Sequence, residues 1–407
     1  MLRSFLVVFF CFWVLILDSK LLNVDVRARS ALLMNSENGR VLFEKNAFLP
    51  LYPASTTKIA TALYALDVKG DLIDQKICVS IEALRTIDSL KKSGHEKEFP
   101  AYFLETDGTV LGLSEGEEIS VQDLLYATML VSGNDAANAL AQALGGSIPG
   151  YMEQVNGHLK SLGCQRTLFL NPHGLHHPGH VTCAMDLALM TKRALLVPKF
   201  CEIVATVSYQ IPETNKHALY QLRQLNRLMK AGAFYYPWAI GVKTGYHSNA
   251  GYNLVAAAEK NGRRLIAVVL GEEKNESRYL DARHLFEAAF SEPKIKRKLF
   301  EKGQVFETRI DGGAAPLLAG VSEELEVGFY PSEERALKAL IYWDELRLPI
   351  LKDEKVGVLK VLTDDGEIMA EKLLLAQAEV PRTFWHFLKQ WLFLAKKKEP
   401  SRPAFAA

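Results

Sequence analysis

Three short segments of the chain carry side chains that could do chemistry together. The first is Ser55-Thr56-Thr57-Lys58, where Pro53-Ala54-Ser55 opens an Ala/Leu-rich stretch. On a helix, positions i and i+3 share a face, so the lysine amine can lie against the serine hydroxyl. A serine hydroxyl is a weak nucleophile until an adjacent base takes its proton. Lysine supplies that base only when burial or a neighbouring positive charge lowers its pKa toward neutral. A helix N-terminus also favours negative charge developing at Ser55. The second segment, Ser132-Gly133-Asn134, sets a hydroxyl and a carboxamide on either side of a glycine. There Ser132 could relay a proton while Asn134 donates to a substrate amide. The third, Gly241-Val242-Lys243-Thr244-Gly245-Tyr246, puts a cation, a hydroxyl and a glycine on one expected strand. A carboxylate could sit there with its backbone laid along the strand. Each segment alone also has a plain structural reading. These are a helix cap with a solvated lysine, an Asn134 cap with a permissive glycine, and an edge lysine that discourages aggregation.

The elements that must position these segments are readable in outline. Ala31–Met34 and Arg40–Glu44 flank Asn35-Ser36-Glu37-Asn38-Gly39, a hairpin signal. A helix is expected from Pro53 to about Lys69, and two more over Val121–Leu130 and Asp135–Leu144. Asn253–Glu259 and Arg264–Leu270 flank Asn261-Gly262, and their continuous apolar runs suit central strands of a second hairpin. Ser277–Phe290 follows as a helix. This order has no βαβ rhythm, so it predicts an α+β fold, an antiparallel sheet covered by helices. Beyond Ser291-Glu292-Pro293 the chain turns to short strands at Gln304–Ile310, Leu325–Phe329, Ala339–Tyr342, Lys355–Leu362 and Ile368–Leu375. Residues 293–380 therefore read as a separate small β domain. It carries no convergent His, Cys or carboxylate cluster, which leaves it a structural or adhesive role.

Composition narrows the function classes. The chain has 407 residues, 49% hydrophobic and 23% charged, a folded globular profile that excludes a disordered or collagen-like chain. Lys+Arg total 48 against Asp+Glu 47, a formal net charge of +1, so no basic excess exists to draw nucleic acid. The five cysteines, Cys11, Cys78, Cys164, Cys183 and Cys201, form no CxxC pair and no zinc spacing. The ends depart from the average. Arg3 followed by an apolar run from Phe5 to Leu17 suits a secretory leader or signal anchor over residues 1–20, because the run is too short to span comfortably. No small-x-small cleavage site follows it. At the other end, residues 381–398 read as an amphipathic helix. Phe384, Trp385, Leu388, Trp391, Leu392 and Ala395 recur on one side, with Arg382, His386, Lys389, Gln390 and Lys396 on the other. That pattern suits a helix lying on a membrane surface, or one docked on the protein's own β domain.

Taken in order, STTK, SGN and KTG resemble the three signatures of the penicillin-recognising serine peptidases, in particular the low-molecular-mass D-alanyl-D-alanine carboxypeptidases. The surrounding segments YPASTTKIATALYAL, LLYATMLVSGNDAANALA, NPHGLHHPGHVTCAMDLALM and GVKTGYHSNAGYNLVAAA look like family segments too. The resemblance covers residues 26–290 as the catalytic domain, and 293–380 looks like the family's C-terminal β domain. It implies a β-lactamase-like fold, with Ser55 as acyl nucleophile, Lys58 as its base and Ser132 as proton shuttle. It further implies that Asn134 holds the penultimate residue's amide, while Lys243 and Thr244, beside Gly245, bind the terminal D-alanine carboxylate. The N–H groups of Ser55 and Tyr246 would form the oxyanion hole, and Arg278 would help position the cationic edge. The implied partners are peptidoglycan stem peptides ending in D-Ala-D-Ala, β-lactams as acylating inhibitors and a membrane surface. No cofactor or metal is implied, and the implied location is the periplasmic face of the inner membrane. The chain departs from the pattern in three places. His247 replaces a small hydroxyl residue, Cys183 replaces Thr or Ser, and Lys91–Leu111 is longer than usual and either shapes the cleft rim or is a tolerated surface insertion. A D,D-endopeptidase would use the same residues. A β-lactamase would need a deacylating Glu, which the stretch Leu168–His173 lacks, and a non-catalytic scaffold would not need the intact motifs.

Overall fold

The computed structural model describes residues 21–385 and 388. The leader over 1–20 and most of the amphipathic stretch, all but 381–385 and 388, lie outside the described residues. The helix expected from 381 does not begin there, because Arg382 forms an antiparallel bridge with Gly313 and Thr383 N–H donates to the Gly312 carbonyl. The chain divides into two compact units at Ser291/Glu292.

The larger unit is built on a five-stranded antiparallel sheet of β1 (Ser30–Asn35), β2 (Val41–Lys45), β3 (Ala239–His247), β4 (Gly251–Lys260) and β5 (Arg263–Glu272). Their spatial order is β2-β1-β5-β4-β3, which leaves β3 at an edge. The β4–β5 hairpin turns on Asn261 and Gly262, both at positive φ (53° and 74°), the conformation a two-residue type I′ turn needs. Side chains alternate across each strand, and here both faces are buried. Along β5, Ile266, Val268 and Leu270 join one apolar cluster, while Leu265, Ala267 and Val269 join the other. Burying each such Ile, Val or Leu contributes about 1.5–3 kcal/mol. The continuous apolar runs seen in the sequence are the signature of this three-layer arrangement.

On one face packs the helical layer, α1 (Lys58–Asp67), α2 (Val121–Tyr126), α3 (Asn134–Gly145), α4 (Ile148–Ser161), α5 (Ala184–Ala194) and α6 (Pro198–Ala205). On the other lies α7 (Ser277–Phe290), which contributes Tyr279, Ala282, Leu285, Phe286 and Ala289. Every residue of α1 from Lys58 to Leu66 is buried, so this helix is the axis of its layer.

Two helices differ from expectation. The first starts at Lys58, because Ala54–Thr57 form a 3-10 turn with Ala54 at φ 50°. The second changes to a π turn over Ala127–Val131, where the Ala127 carbonyl accepts from both Ser132 and Gly133 N–H groups. Such wide turns recur at functional sites.

In the smaller unit, β6 (Ile295–Phe300) pairs with β9 (Leu325–Phe329). β7 (Val305–Thr308), β8 (Leu317–Val321), β10 (Leu337–Trp343), β11 (Lys355–Thr363) and β12 (Ile368–Ala376) form an antiparallel sheet in the order β7-β8-β12-β11-β10. Leu317, Leu325, Val356, Leu359 and Leu374 are at its core. β6 and β8 were not expected. β6 reads IKRKLF, and its basic residues mask the alternation, while β8 is a five-residue run directly after a Gly/Pro-rich stretch. Cys78, Cys164, Cys183 and Cys201 are free thiols.

Candidate active site

The nucleophile candidate sits where the helical layer meets edge strand β3. The 3-10 turn eclipses positions i and i+3, which brings Lys58 Nζ to 3.1 Å from Ser55 Oγ. Lys58 is fully buried, and its amine also donates to Asn134 Oδ1 (2.6 Å) and the His173 carbonyl (2.7 Å). Burial holds its pKa well below the ordinary lysine value. The charge of Lys243 pushes the same way, and Asp135 opposes both. A neutral amine has two N–H groups and one lone pair. Asn134 and His173 take the two N–H groups, so the lone pair is left for the Ser55 hydroxyl.

Ser132 is buried and adopts the left-handed conformation (φ 64°) at the end of the π turn, where Gly133 then leads the chain into α3. Asn134 is the first residue of α3. Its neighbour Asp135 accepts from the N–H groups of Leu111, Gly112 and Leu113, fixing the approach loop beside it. The long segment Lys91–Leu111 is no detached surface insertion. The Tyr102 carbonyl accepts from Asn138 Nδ2 (2.8 Å) and lies 3.1 Å from His173 Nε2, and the Thr109 carbonyl accepts from Asn134 N–H (2.9 Å).

On β3, Lys243 is buried, and its Nζ donates to the Thr244 carbonyl at 3.0 Å. Burial, reinforced by the Arg278 guanidinium, brings its pKa down to about 7. Gly245 is where the strand touches the nucleophile turn. A Cβ there would stand 2.9 Å from the Pro53 oxygen, 3.0 Å from Ser55 N and 3.1 Å from Thr56 N, all backbone atoms. Tyr246 is 55% exposed and stacks on Tyr252, ring centroids 4.2 Å apart. Arg278 lies behind the strand, donating from Nη1 to the Gly245 and Asn253 carbonyls, both at 3.0 Å. His247 closes this end of the strand among Tyr52 and His176, and burial lowers its pKa to about 4.

The structure thus joins Ser55, Lys58 and Asn134 by direct hydrogen bonds and sets Lys243 and Gly245 against them. Four contributors were not singled out from the sequence. His173 supplies a carbonyl to Lys58. His180 Nδ1 accepts from Leu170 N–H, so its neutral ring donates through Nε2 to Thr57 Oγ1 (2.8 Å). Gly174, at φ 92°, packs so tightly that a Cβ would collide with the Ala54 carbonyl. Asn253 bridges the sheet to the nucleophile turn. The only sequence signal for them was the His- and Gly-rich run from Asn171 to Thr182, and the Asn in an otherwise apolar strand. Among the described residues no group of three or more His, Cys, Asp or Glu could hold a metal ion.

This pairing of a buried lysine with a serine hydroxyl, on a helical layer against an antiparallel sheet, defines a serine acyl-transfer site. Comparison with known proteins places it more closely. The family model described as D-alanyl-D-alanine carboxypeptidase matches residues 18–274, and that of the penicillin-binding protein 5 C-terminal domain matches 296–382. The chain is 32% identical over 368 residues to D-alanyl-D-alanine carboxypeptidase DacF of Bacillus subtilis, covering 89% of this chain and 88% of that one. It is 33% identical over 269 residues to DacC of Escherichia coli, covering 65% and 62%. The crystal structure of penicillin binding protein 5 from Haemophilus influenzae superposes with a TM-score of 0.60 at 26% identity, covering 89% of this chain and 100% of that one. The chain belongs to the D-alanyl-D-alanine carboxypeptidase family.

Proposed function

We propose that the protein is a serine D-Ala-D-Ala carboxypeptidase that removes the terminal D-alanine of peptidoglycan stem peptides through a Ser55 acyl-enzyme. The observation that carries this reading is the buried, pKa-lowered Lys58 amine at hydrogen-bond distance from Ser55 Oγ. Lys58 takes the hydroxyl proton as Ser55 Oγ attacks the carbonyl of the penultimate D-alanine. Negative charge on the carbonyl oxygen is met by the backbone N–H groups of Ser55 and Tyr246. Ser132 carries the proton to the amine of the departing D-alanine, and water then hydrolyses the ester. Asn134, whose oxygen is engaged by Lys58, has its Nδ2 left to hold the substrate backbone. Lys243 and Thr244 receive the terminal carboxylate, and Arg278 holds the strand that presents them. β-Lactams acylate the same serine.

The apolar run from Phe5 to Leu17 supports export, and the amphipathic pattern over 382–395 supports attachment to an anionic membrane surface. The enzyme then works at the wall-facing side of the inner membrane, on nascent peptidoglycan. Among the described residues no helix is long and apolar enough to cross a membrane.

The test is turnover of a diacylated peptide ending in D-Ala-D-Ala, followed as free D-alanine, beside a cross-linked muropeptide dimer. Release of D-alanine with the dimer left intact is the expected result. Cleavage of the dimer in preference would make the enzyme an endopeptidase, and no turnover of either would leave a scaffold.

A further inference from the structure

We infer that Asn253 is a positioning residue for acylation, the clamp that fixes the Ser55 turn against the sheet. The inference rests on the proposed role of Ser55 and goes beyond it. Asn253 lies in β4, directly opposite Gly245 of β3, and is fully buried. Its carboxamide makes three hydrogen bonds, using both N–H groups and the oxygen. Oδ1 accepts from Gly271 N–H of β5 (2.8 Å), which locks the amide orientation. The two Nδ2 protons go to the carbonyls of Tyr52 (2.9 Å) and Pro53 (3.0 Å), the residues that lead into the nucleophile turn.

Those two carbonyls need holding. Ala54, the next residue, takes φ 50°, a left-handed conformation that costs a non-glycine residue free energy and persists only where its surroundings impose it. The imposition comes from both sides. Upstream, Asn253 grips Tyr52 and Pro53, and Thr56 Oγ1 also donates to Pro53 O (2.8 Å). Downstream, Thr57 Oγ1 donates to the Ala54 carbonyl (3.0 Å). The result sets the Ser55 hydroxyl beside Lys58 and the Ser55 N–H beside Gly245. Without the two Asn253 donors, Tyr52 O and Pro53 O lose their tie to the sheet, and the turn can relax away from β3. Lys243, Thr244 and Asn134 are held by other contacts and keep their places. Asn253 therefore acts on the rate of attack and not on substrate recognition.

The experiment compares Asn253→Ala with the wild type in benzylpenicillin acylation and in peptide turnover, with rates normalised to the sites labelled at completion. Misplacing a reacting atom by about 1 Å costs on the order of 10²-fold, so acylation and kcat should fall by about 10- to 100-fold while KM stays within about threefold. The ascending limb of the pH profile, set by Lys58, should not move. Wild-type rates per labelled site, or a loss borne by KM instead, would overturn the inference. If Asn253→Ala does not fold, Asn253→Asp keeps the side-chain shape and the oxygen that accepts from Gly271 N–H while removing the paired Nδ2 donors to Tyr52 and Pro53. It should lower acylation by about 3- to 10-fold, and an unchanged rate overturns the inference. Failure of the Ser55 assignment itself would look different, because the wild type would then carry no label at Ser55.

Discussion

Lys243 is the residue whose pH behaviour the structure specifies most closely. Burial, with the Arg278 guanidinium adding to it, lowers its pKa to about 7 from the ordinary 10.5. Only the ammonium can pair with a substrate carboxylate, so recognition is full below that pKa and is lost as pH rises through it. For the free enzyme and free substrate, kcat/KM on a peptide ending in a free carboxylate should therefore fall about tenfold per pH unit above about pH 7. The ascending limb belongs to Lys58, which must be neutral to act as base and whose pKa is also held well down. A C-terminal amide of the same peptide gives Lys243 no anion to bind. Its lower kcat/KM should show the ascending limb and no matching descent. Replacing the guanidinium charge, Arg278→Gln, should move the descending limb of the free acid to higher pH, even though losing the grip on Gly245 O lowers the overall rate. The assay is D-alanine or D-alaninamide release from pH 5 to 9. A common descending limb for acid and amide, or a free-acid profile flat from pH 7 to 9, would refute the assignment of Lys243 to the carboxylate.

Other expectations follow from the same geometry. Lys58→Ala should lower kcat by about 10²–10⁴-fold with KM little changed, as removal of a positioned base does; near-normal turnover would put the base elsewhere. Gly245→Ala places a methyl against three backbone atoms of the nucleophile turn that cannot swing aside. It should lower penicillin acylation by about 10²-fold and stability by about 1–3 kcal/mol, read from stopped-flow labelling and thermal unfolding. A chain lacking residues 1–20 should sediment with anionic vesicles at low salt, and one also lacking 382–407 should not, with both equally active on soluble peptide. If both stay in the supernatant, the C-terminal segment is no anchor.

Much of this was legible in the residues. The β4–β5 hairpin was visible because Asn261-Gly262 separates two apolar runs, and both runs prove to be buried on two faces. The Ser-x-x-Lys spacing gave the Ser55–Lys58 contact, although the geometry that closes it is a 3-10 turn and not the first turn of the helix. That difference goes with Ala54 at positive φ, and of the side chains that hold the turn there, Thr57 is local while Asn253 lies about two hundred residues away in sequence. The groups that complete the site were hidden for a similar reason. His173 serves Lys58 through its backbone carbonyl, which every residue possesses, so its type carried no information. Asn253 sits in a strand that otherwise reads as core, and its partners lie about two hundred residues away. Lys91–Leu111 looked like an insertion because its ties to His173 and Asn134 run through main-chain carbonyls.

The most direct test of the account is the mass of the intact protein after incubation with benzylpenicillin, followed by peptide mapping. The account predicts one penicilloyl group per chain, on Ser55. It should persist, because among the described residues the hydrogen-bond partners of Lys58 Nζ are Ser55 Oγ, Asn134 Oδ1 and the His173 carbonyl, none of them a carboxylate that could activate water. The label should vanish in Ser55→Ala. A label that survives that substitution, or one that maps to another residue, would contradict the assignment of Ser55 as the nucleophile.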